Sequence, residues 1–266
     1  MGGVGLSLPA STAEMKFRGH VDMHHDNQTI YTLSVVSHGQ APLVRLLLAD
    51  LERLHPAHFE VLLTLNVPED ESELVSSRFP MRVIRNTRPK GFGANHNAAF
   101  AISQGAYFVV INPDIRLPHL RLDALREIVN LDRTGACAPL VVNSSGRLED
   151  SARRFPTVTR LLRRVVLHDR SLDYEWRDTS QEVDWVAGMF VMFRHEAFEQ
   201  VKGFDDRRFF MYFEDVDICR RLKRLGWGVH VQPAVRVIHD AQRASNRQLK
   251  HLWWHLTSAA RYLTGL

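Results

Sequence analysis

Cysteine is nearly absent: the chain of 266 residues has two, Cys137 and Cys219. Cys137 falls in an apolar strand-like run and Cys219 in a helix-like one, so neither reads as half of a disulfide framework. A reducing, cytoplasmic setting follows as the expectation. No run of 18 apolar residues occurs, which excludes a membrane-spanning helix from the predicted elements. Charge of one sign is also scarce. A net charge of +4 suits a small anionic partner such as a nucleotide, a diphosphate or an acidic membrane leaflet, and is too weak to point to nucleic acid. Residues 1–28 lack a charged start followed by an apolar stretch, so they are not a signal peptide by pattern. They are expected to be a disordered leader, in which His20, His24, His25 and Asp26 are solvated polar residues rather than a metal site.

What the chain does have is alternation. The runs 30–37, 59–66, 81–86, 106–112 and 135–143 are β-branched and apolar and of strand length. Helix-like stretches over 42–55, 93–104 and 121–131 separate most of them. Strands alternating with helices predict βαβ units and an α/β fold with a mostly parallel sheet, whose ligands sit at the carboxyl ends of the strands. After residue 145 the rhythm changes. The segment 152–170 is basic, 183–194 reads as one strand, a helix starts near Asp215, and "WGVHVQP" and "AVRVIHD" read as two short strands.

Four stretches carry chemistry. "INPDI" sets Asp114 just beyond a strand's carboxyl end, where a divalent cation and a phosphate can meet it, although Asn112, Pro113 and Asp114 are equally good turn formers. "RPKGFGANHN" offers glycines and amides ahead of a helix, a place that favours anions, but it has neither the P-loop nor the dinucleotide pattern. "FFMYFEDVDICRR" puts Glu214 and Asp215 in the first turn of a helix, where the macrodipole favours the ionised form. An ionised Asp in a cleft can take a proton from a sugar hydroxyl. Helix capping accounts for one acidic residue there, but not for the adjoining Phe209, Phe210, Tyr212 and Phe213. "AVRVIHD" ends a strand in His239 and Asp240; a neutral imidazole is a common ligand for Mn²⁺-like ions, and a lone strand-end histidine is also commonly structural.

The order of "NPD", then "WVAG" and "FED", then "VRVIHD" resembles glycosyltransferase family 2, and within it the bacterial rhamnosyltransferase-like enzymes of surface polysaccharide assembly. The resemblance runs from about Thr32 to His239 and is densest over 183–239. It implies a GT-A fold, a nucleotide-diphosphate sugar donor, a divalent metal (Mn²⁺ or Mg²⁺) and inversion at the anomeric carbon. It further implies that Asp114 is the metal- and diphosphate-binding carboxylate, with Asn112 in place of the motif's first Asp. Asp215 matches the general base, Glu214 its acceptor-side neighbour and His239 an additional metal ligand. Trp185 and Gly188 match the acceptor pocket, and Gly91, Gly93 and Asn97 the nucleotide side. Where the family usually has Asp-Asn after its second strand this chain has Leu65 and Asn66. That leaves the donor open between dTDP-rhamnose and a UDP-sugar.

The implied activity is transfer of a sugar, rhamnose first among candidates, to a glycan or polyprenyl-linked acceptor in O-antigen-like synthesis. The alternatives are a degenerate scaffold subunit and a nucleotidyltransferase. The expected organisation is the leader 1–28, a transferase domain 29–240 and a C-terminal amphipathic helix 241–266. The domain divides into a nucleotide-sugar half, 29–145, and an acceptor half, 146–240. In that tail Leu249, Leu252, Trp253, Leu256 and Leu263 share one face, Arg247, Lys250 and Arg261 add charge, and Trp254 and Tyr262 suit an interface. Such a stripe serves either to pack on the domain or to lie on an anionic membrane, as a protein peripheral on the inner face of the cytoplasmic membrane would require.

Overall fold

A computed structural model of the chain describes residues 29–74, 76–160, 171–239 and 249–265. The leader histidines, Asp240 and Arg247 lie outside these residues, as do the side chains of Leu249, Lys250 and Leu252.

The apolar runs become strands because both of their faces are covered. In β4 (Tyr107–Ile111), Val109 and Ile111 face one apolar layer while Phe108 and Val110 face the other. This is why such strands read as continuous hydrophobic runs rather than alternating ones. Each fully buried side chain of this kind contributes about 2 kcal/mol. The first layer lies under α1 (Ala41–Leu54) and α3 (Leu122–Val129); the second lies under α2 (Phe92–Phe100), α4 (His195–Gln200) and α5 (Glu214–Arg224).

Between them runs a sheet of nine strands. Its path begins with β3 (Met81–Arg85), β2 (Phe59–Leu65), β1 (Tyr31–Ser37) and β4. It continues through β10 (Phe190–Arg194), β6 (Thr134–Val142), β11 (Gly228–His239) and β5 (Ile115–Arg116), with β8 (Gln181–Glu182) paired to β11. β1 to β4, β6 and β11 run the same way; β10, β5 and β8 oppose them. A separate two-stranded ribbon joins β7 (Ala152–Arg153) to β9 (Trp185–Val186).

Two expectations for the second half are corrected. The run 183–194 is not one strand: it breaks at residues 187–189, so that β9 leaves the main sheet and β10 enters it antiparallel. Gly188 sits at the break, where a Cβ would come within 3.1 Å of the Phe92 ring. Conversely "WGVHVQP" and "AVRVIHD" are not two strands. They form the single β11, which passes Pro233 through a register shift between Gln232 and Arg236; a bulge lets a strand carry a proline without a ladder donor.

The C-terminal helix α6 (Leu249–Thr264) bears on the two roles left open for its stripe. The stripe residues Trp253, Leu256 and Leu263 are exposed, at 67%, 57% and 40%. The face that packs carries Ser258 and Tyr262, and it covers Phe209, Phe213 and Val216. Trp253, Leu256 and Leu263 are therefore not on the packing surface.

Candidate active site

Because β1, β2, β4 and β11 are parallel, their carboxyl ends gather on one edge, and the antiparallel β10 starts there. That edge collects most of the chemistry-bearing residues. Asp114 follows β4 and His239 ends β11. The pairing of β5 with β11 sets Ile115 opposite His239, and it brings Asp114 Oδ2 to 3.3 Å from His239 Nε2. The other carboxylate oxygen, Asp114 Oδ1, is buried with no hydrogen-bond partner among the described residues. A divalent cation fits this pair: an oxygen left bare in a buried site, beside an imidazole, supplies hard and borderline donors. Among the described residues no cluster of three or more such side chains exists. The remaining ligands would come from phosphate and water, the usual arrangement for Mg²⁺ at nucleotide sites.

β5 is itself anchored. Buried Asp50 of α1 accepts from Arg116 Nε (2.7 Å) and Nη2 (2.9 Å) and from the Leu117 N–H (3.0 Å). Burial raises the Asp50 carboxyl, but the Arg116 guanidinium and the Leu117 N–H together hold it below its ordinary value.

Glu214 and Asp215 open α5. They are preceded by Tyr212 and Phe213, which both occupy the left-handed region (φ 70° and 67°). Backbone of this kind in non-glycine residues costs about 1–3 kcal/mol each and persists only where surrounding contacts impose it. Here α6 does so: Ser258 Oγ donates to the Met211 carbonyl at 2.9 Å, and the Tyr262 ring stacks 5.5 Å from Phe213. The strained turn aims the two carboxylates into a cleft of about 480 Å³, walled by Trp185, Tyr212, Phe213 and His255.

Asp215 Oδ2 accepts the Gly188 N–H at 3.2 Å, and Oδ1 accepts the Val216 N–H at 2.8 Å. Met189, the residue after Gly188, accepts the Asn112 N–H at 2.8 Å, which ties Asp215 to the loop that carries Asp114. The helix start was expected to keep Asp215 ionised. Burial instead raises its pKa, against the Val216 and Gly188 N–H groups and the Arg153 charge. Burial and then the Asp215 charge push Glu214 well above the usual range, and Glu214 Oε2 has no partner among the described residues. Desolvation outweighs the helix dipole here because the carboxylates face aromatic walls rather than water. Asp217, one position on, bonds Arg221 Nε at 2.7 Å and lies 3.6 Å from Arg208; it is a structural ion pair.

The nucleotide-side residues have internal work. Gly91 and Gly93 admit the 204–210 loop: a Cβ at Gly91 would stand 2.4 Å from the Phe210 carbonyl oxygen, and one at Gly93 would stand 2.6 Å from Phe204 Cβ. The first N–H of α2, that of Phe92, goes to Phe210 and so is spent inside the fold. The Asn97 amide clamps Phe204, donating to its carbonyl (2.8 Å) and accepting its N–H (2.9 Å). Asn66 accepts from the Lys90 N–H and from Asn86, and it donates to the Lys90 carbonyl, so it fastens the loop before α2 to the end of β2. Leu65 is a core residue.

Sequence reasoning missed His255, which enters the cleft 5.3 Å from Tyr212 and 5.5 Å from Phe213. It also missed the arginines of the cleft, Arg153, Arg154 and Arg160, which read only as part of a basic run. The i, i+1 placement of Arg153 and Arg154 beside a short ribbon strand was the one available signal.

Comparison with known proteins follows the same lines. Residues 42–253 match the family described as "Glycosyltransferase like family 2". The chain is 29% identical over 242 residues to rhamnosyltransferase WbbL of Escherichia coli (strain K12), covering 86% of this chain and 90% of that protein. It is 28% identical over 252 residues to the N-acetylglucosaminyl-diphospho-decaprenol L-rhamnosyltransferase of Mycobacterium tuberculosis, covering 86% of this chain and 82% of that one. Among solved structures it is similar to the mannosyltransferase PcManGT of Pyrobaculum calidifontis, in complex with GDP-Man and Mn²⁺. The TM-score is 0.58 at 17% identity, over 87% of this chain and 64% of that chain. A second similar structure is GalNAc-T7 with UDP, GalNAc and Mn²⁺, with a TM-score of 0.60 at 15% identity, over 80% of this chain and 44% of that chain. This chain thus spans less than two thirds of either solved chain, and the likeness shows the GT-A fold.

Proposed function

Because this chain belongs to glycosyltransferase family 2, we propose that it is an inverting, metal-dependent transferase that moves rhamnose to a lipid-linked glycan in surface polysaccharide synthesis. The observation that carries this reading is the tie between Asp215 and Gly188. It hangs a carboxylate with a raised pKa in an aromatic-lined cleft, on the same sheet edge as Asp114 and His239.

In the reaction the acceptor hydroxyl oxygen attacks the anomeric carbon and gives its proton to Asp215. The anomeric carbon–oxygen bond breaks on the opposite face, and its electron pair leaves with the nucleoside diphosphate. A base whose pKa is raised by burial holds that proton more effectively than an ordinary aspartate. Burial and then the Asp215 charge push Glu214 up, so the two neighbouring carboxyls oppose each other's ionisation. Trp185 and Tyr212 give the sugar ring an apolar wall and exclude water. Asp114 and His239 would hold the divalent cation, Mn²⁺ or Mg²⁺, which when bound neutralises charge on the departing diphosphate.

A rhamnosyl donor is supported by the names of both sequence relatives, and a prenyl-diphosphate acceptor by the name of the mycobacterial one. No helix among the described residues is long and apolar enough to cross a membrane. The exposed apolar face of α6 supports peripheral contact with the bilayer that carries such an acceptor.

The test is incubation with dTDP-rhamnose and with UDP-sugars, each with Mn²⁺ or Mg²⁺, on N-acetylglucosamine joined through diphosphate to a short prenyl chain. The expected product is rhamnosylated with inverted anomeric configuration. Transfer from a UDP-sugar alone would overturn the donor assignment, and a retained configuration would overturn the single displacement.

A further inference from the structure

Three guanidinium groups line the cleft that holds Glu214 and Asp215, and the mechanism above uses none of them. The donor diphosphate belongs with Asp114 and His239, neither of which lines this cleft. Resting on the lipid-linked reading of the acceptor, we propose that Arg153, Arg154 and Arg160 form a second anion subsite, which binds the diphosphate joining the acceptor sugar to its lipid.

The three are graded from inside to outside. Arg153 sits on β7, paired opposite Trp185 of β9, so its position relative to Gly188 and Asp215 is set by backbone. It is half-buried, with one nitrogen 2.5 Å from Asp150, its guanidinium 5.9 Å over the Trp185 ring, and its Nε without a hydrogen-bond partner among the described residues. Burial raises Asp215 and lowers His255, and the Arg153 charge works against the first shift and adds to the second. Arg154 is exposed, lies 5.9 Å over Tyr174, and has no ion-pair partner among the described residues. Arg160, also exposed and without an ion pair there, stands further along the rim. Asp173, the cleft's remaining carboxylate, accepts the Arg154 peptide N–H.

A sugar seated against Trp185 with a hydroxyl at Asp215 would trail its anomeric diphosphate outward past these groups. Guanidinium forks match phosphate oxygens two at a time, which an ammonium does not do. The site therefore separates its two anions by chemistry: carboxylate and imidazole with a cation for the donor, guanidinium for the acceptor.

The test uses the full chain, wild type and with Arg154→Gln, Arg160→Gln or Arg153→Lys, and two probes. One is N-acetylglucosamine diphosphate-linked to farnesyl, and the other is the octyl glycoside of the same sugar. Isothermal titration should show the wild type preferring the diphosphate probe by roughly a hundredfold. Each Gln variant should lose roughly tenfold on that probe, the worth of one charged hydrogen bond. The octyl glycoside and the KM for nucleotide sugar should not change, and Arg153→Lys should keep charge but lose part of the preference.

Equal wild-type affinity for the two probes would overturn the subsite, as would a rise in donor KM instead of a loss of acceptor affinity. Loss of flotation with phosphatidylglycerol vesicles, at unchanged probe affinity, would assign the arginines to bilayer headgroups and overturn it too. Arginine-dependent binding of the diphosphate probe without rhamnosyl transfer to it would uphold the subsite while refuting the proposed reaction.

Discussion

The molecule buries carboxylates in two places and treats them in opposite ways. Asp50 is surrounded by donors: two nitrogens of Arg116, the Leu117 N–H and Arg53. Glu214 and Asp215 have backbone N–H groups but no ion-pair partner among the described residues, and Glu214 Oε2 has nothing at all there. Both places lie in a low-dielectric setting, yet one carboxyl is held below its ordinary value and the other two are raised. A buried charge that has been fully paired is a fastening. A buried charge left short of partners is kept ready for something that arrives.

That contrast breaks if the two kinds of site respond alike to neutralisation. The largest effect is expected from Asp215→Asn, which should lower kcat by about 10²–10⁴-fold, the usual worth of a positioned base, and leave donor affinity unchanged. Its melting temperature should hold or rise, since an uncompensated charge has been removed; steady-state kinetics beside a thermal melt would read both. Next in size, Asp50→Asn should cost about 2 kcal/mol of stability and leave kcat nearly intact. That figure is set by broken charged hydrogen bonds, discounted because Arg116 is 41% exposed. Chemical denaturation of the variant measures it, and a large loss of turnover at full stability would erase the distinction.

The smallest effect is in pH. A carboxyl lowered in the folded state adds stability above its unfolded value, near 4, and loses it as pH falls through the folded value. A raised carboxyl adds stability below about 4 and loses it as pH climbs toward the folded value. Asp50→Asn should therefore flatten the acid limb of the stability profile, and Asp215→Asn should flatten the decline above pH about 4. Melting curves taken across that range check the signs.

The strands of the first half were legible because strands covered on both faces advertise themselves as uninterrupted apolar runs; Val109 and Phe108 need no partner information to be read. Asp114 and His239 were legible as strand-end residues, and the resemblance paired them. What the chain does not advertise is contact at long range. Asn97 looks like a nucleotide-side amide until Phe204, 107 positions away, is seen in its grip. Gly91 and Gly93 look like an anion loop until the 204–210 segment is found pressed against them. The raised pKa of Asp215 was hidden for a different reason. The helix dipole is written locally in the sequence, whereas desolvation depends on aromatic walls from β9 and α6 that only folding assembles. His255 was invisible for the same reason: α6 turned its Ser258–Tyr262 face inward and left Trp253, Leu256 and Leu263 outside.

The short bridge from Asp215 through Gly188 and Met189 to Asn112 has a consequence for how such an enzyme diversifies. It acts as a gauge block. The spacing between Asp215 and the Asp114 loop is cut into the Gly188–Met189 dipeptide of the backbone, so side-chain substitution does not retune it without moving both. New acceptors or new linkage positions would have to come from the adjustable jaws around it, Trp185, Tyr212 and His255. Swapping those walls on a fixed bridge is the route this architecture leaves open to engineering.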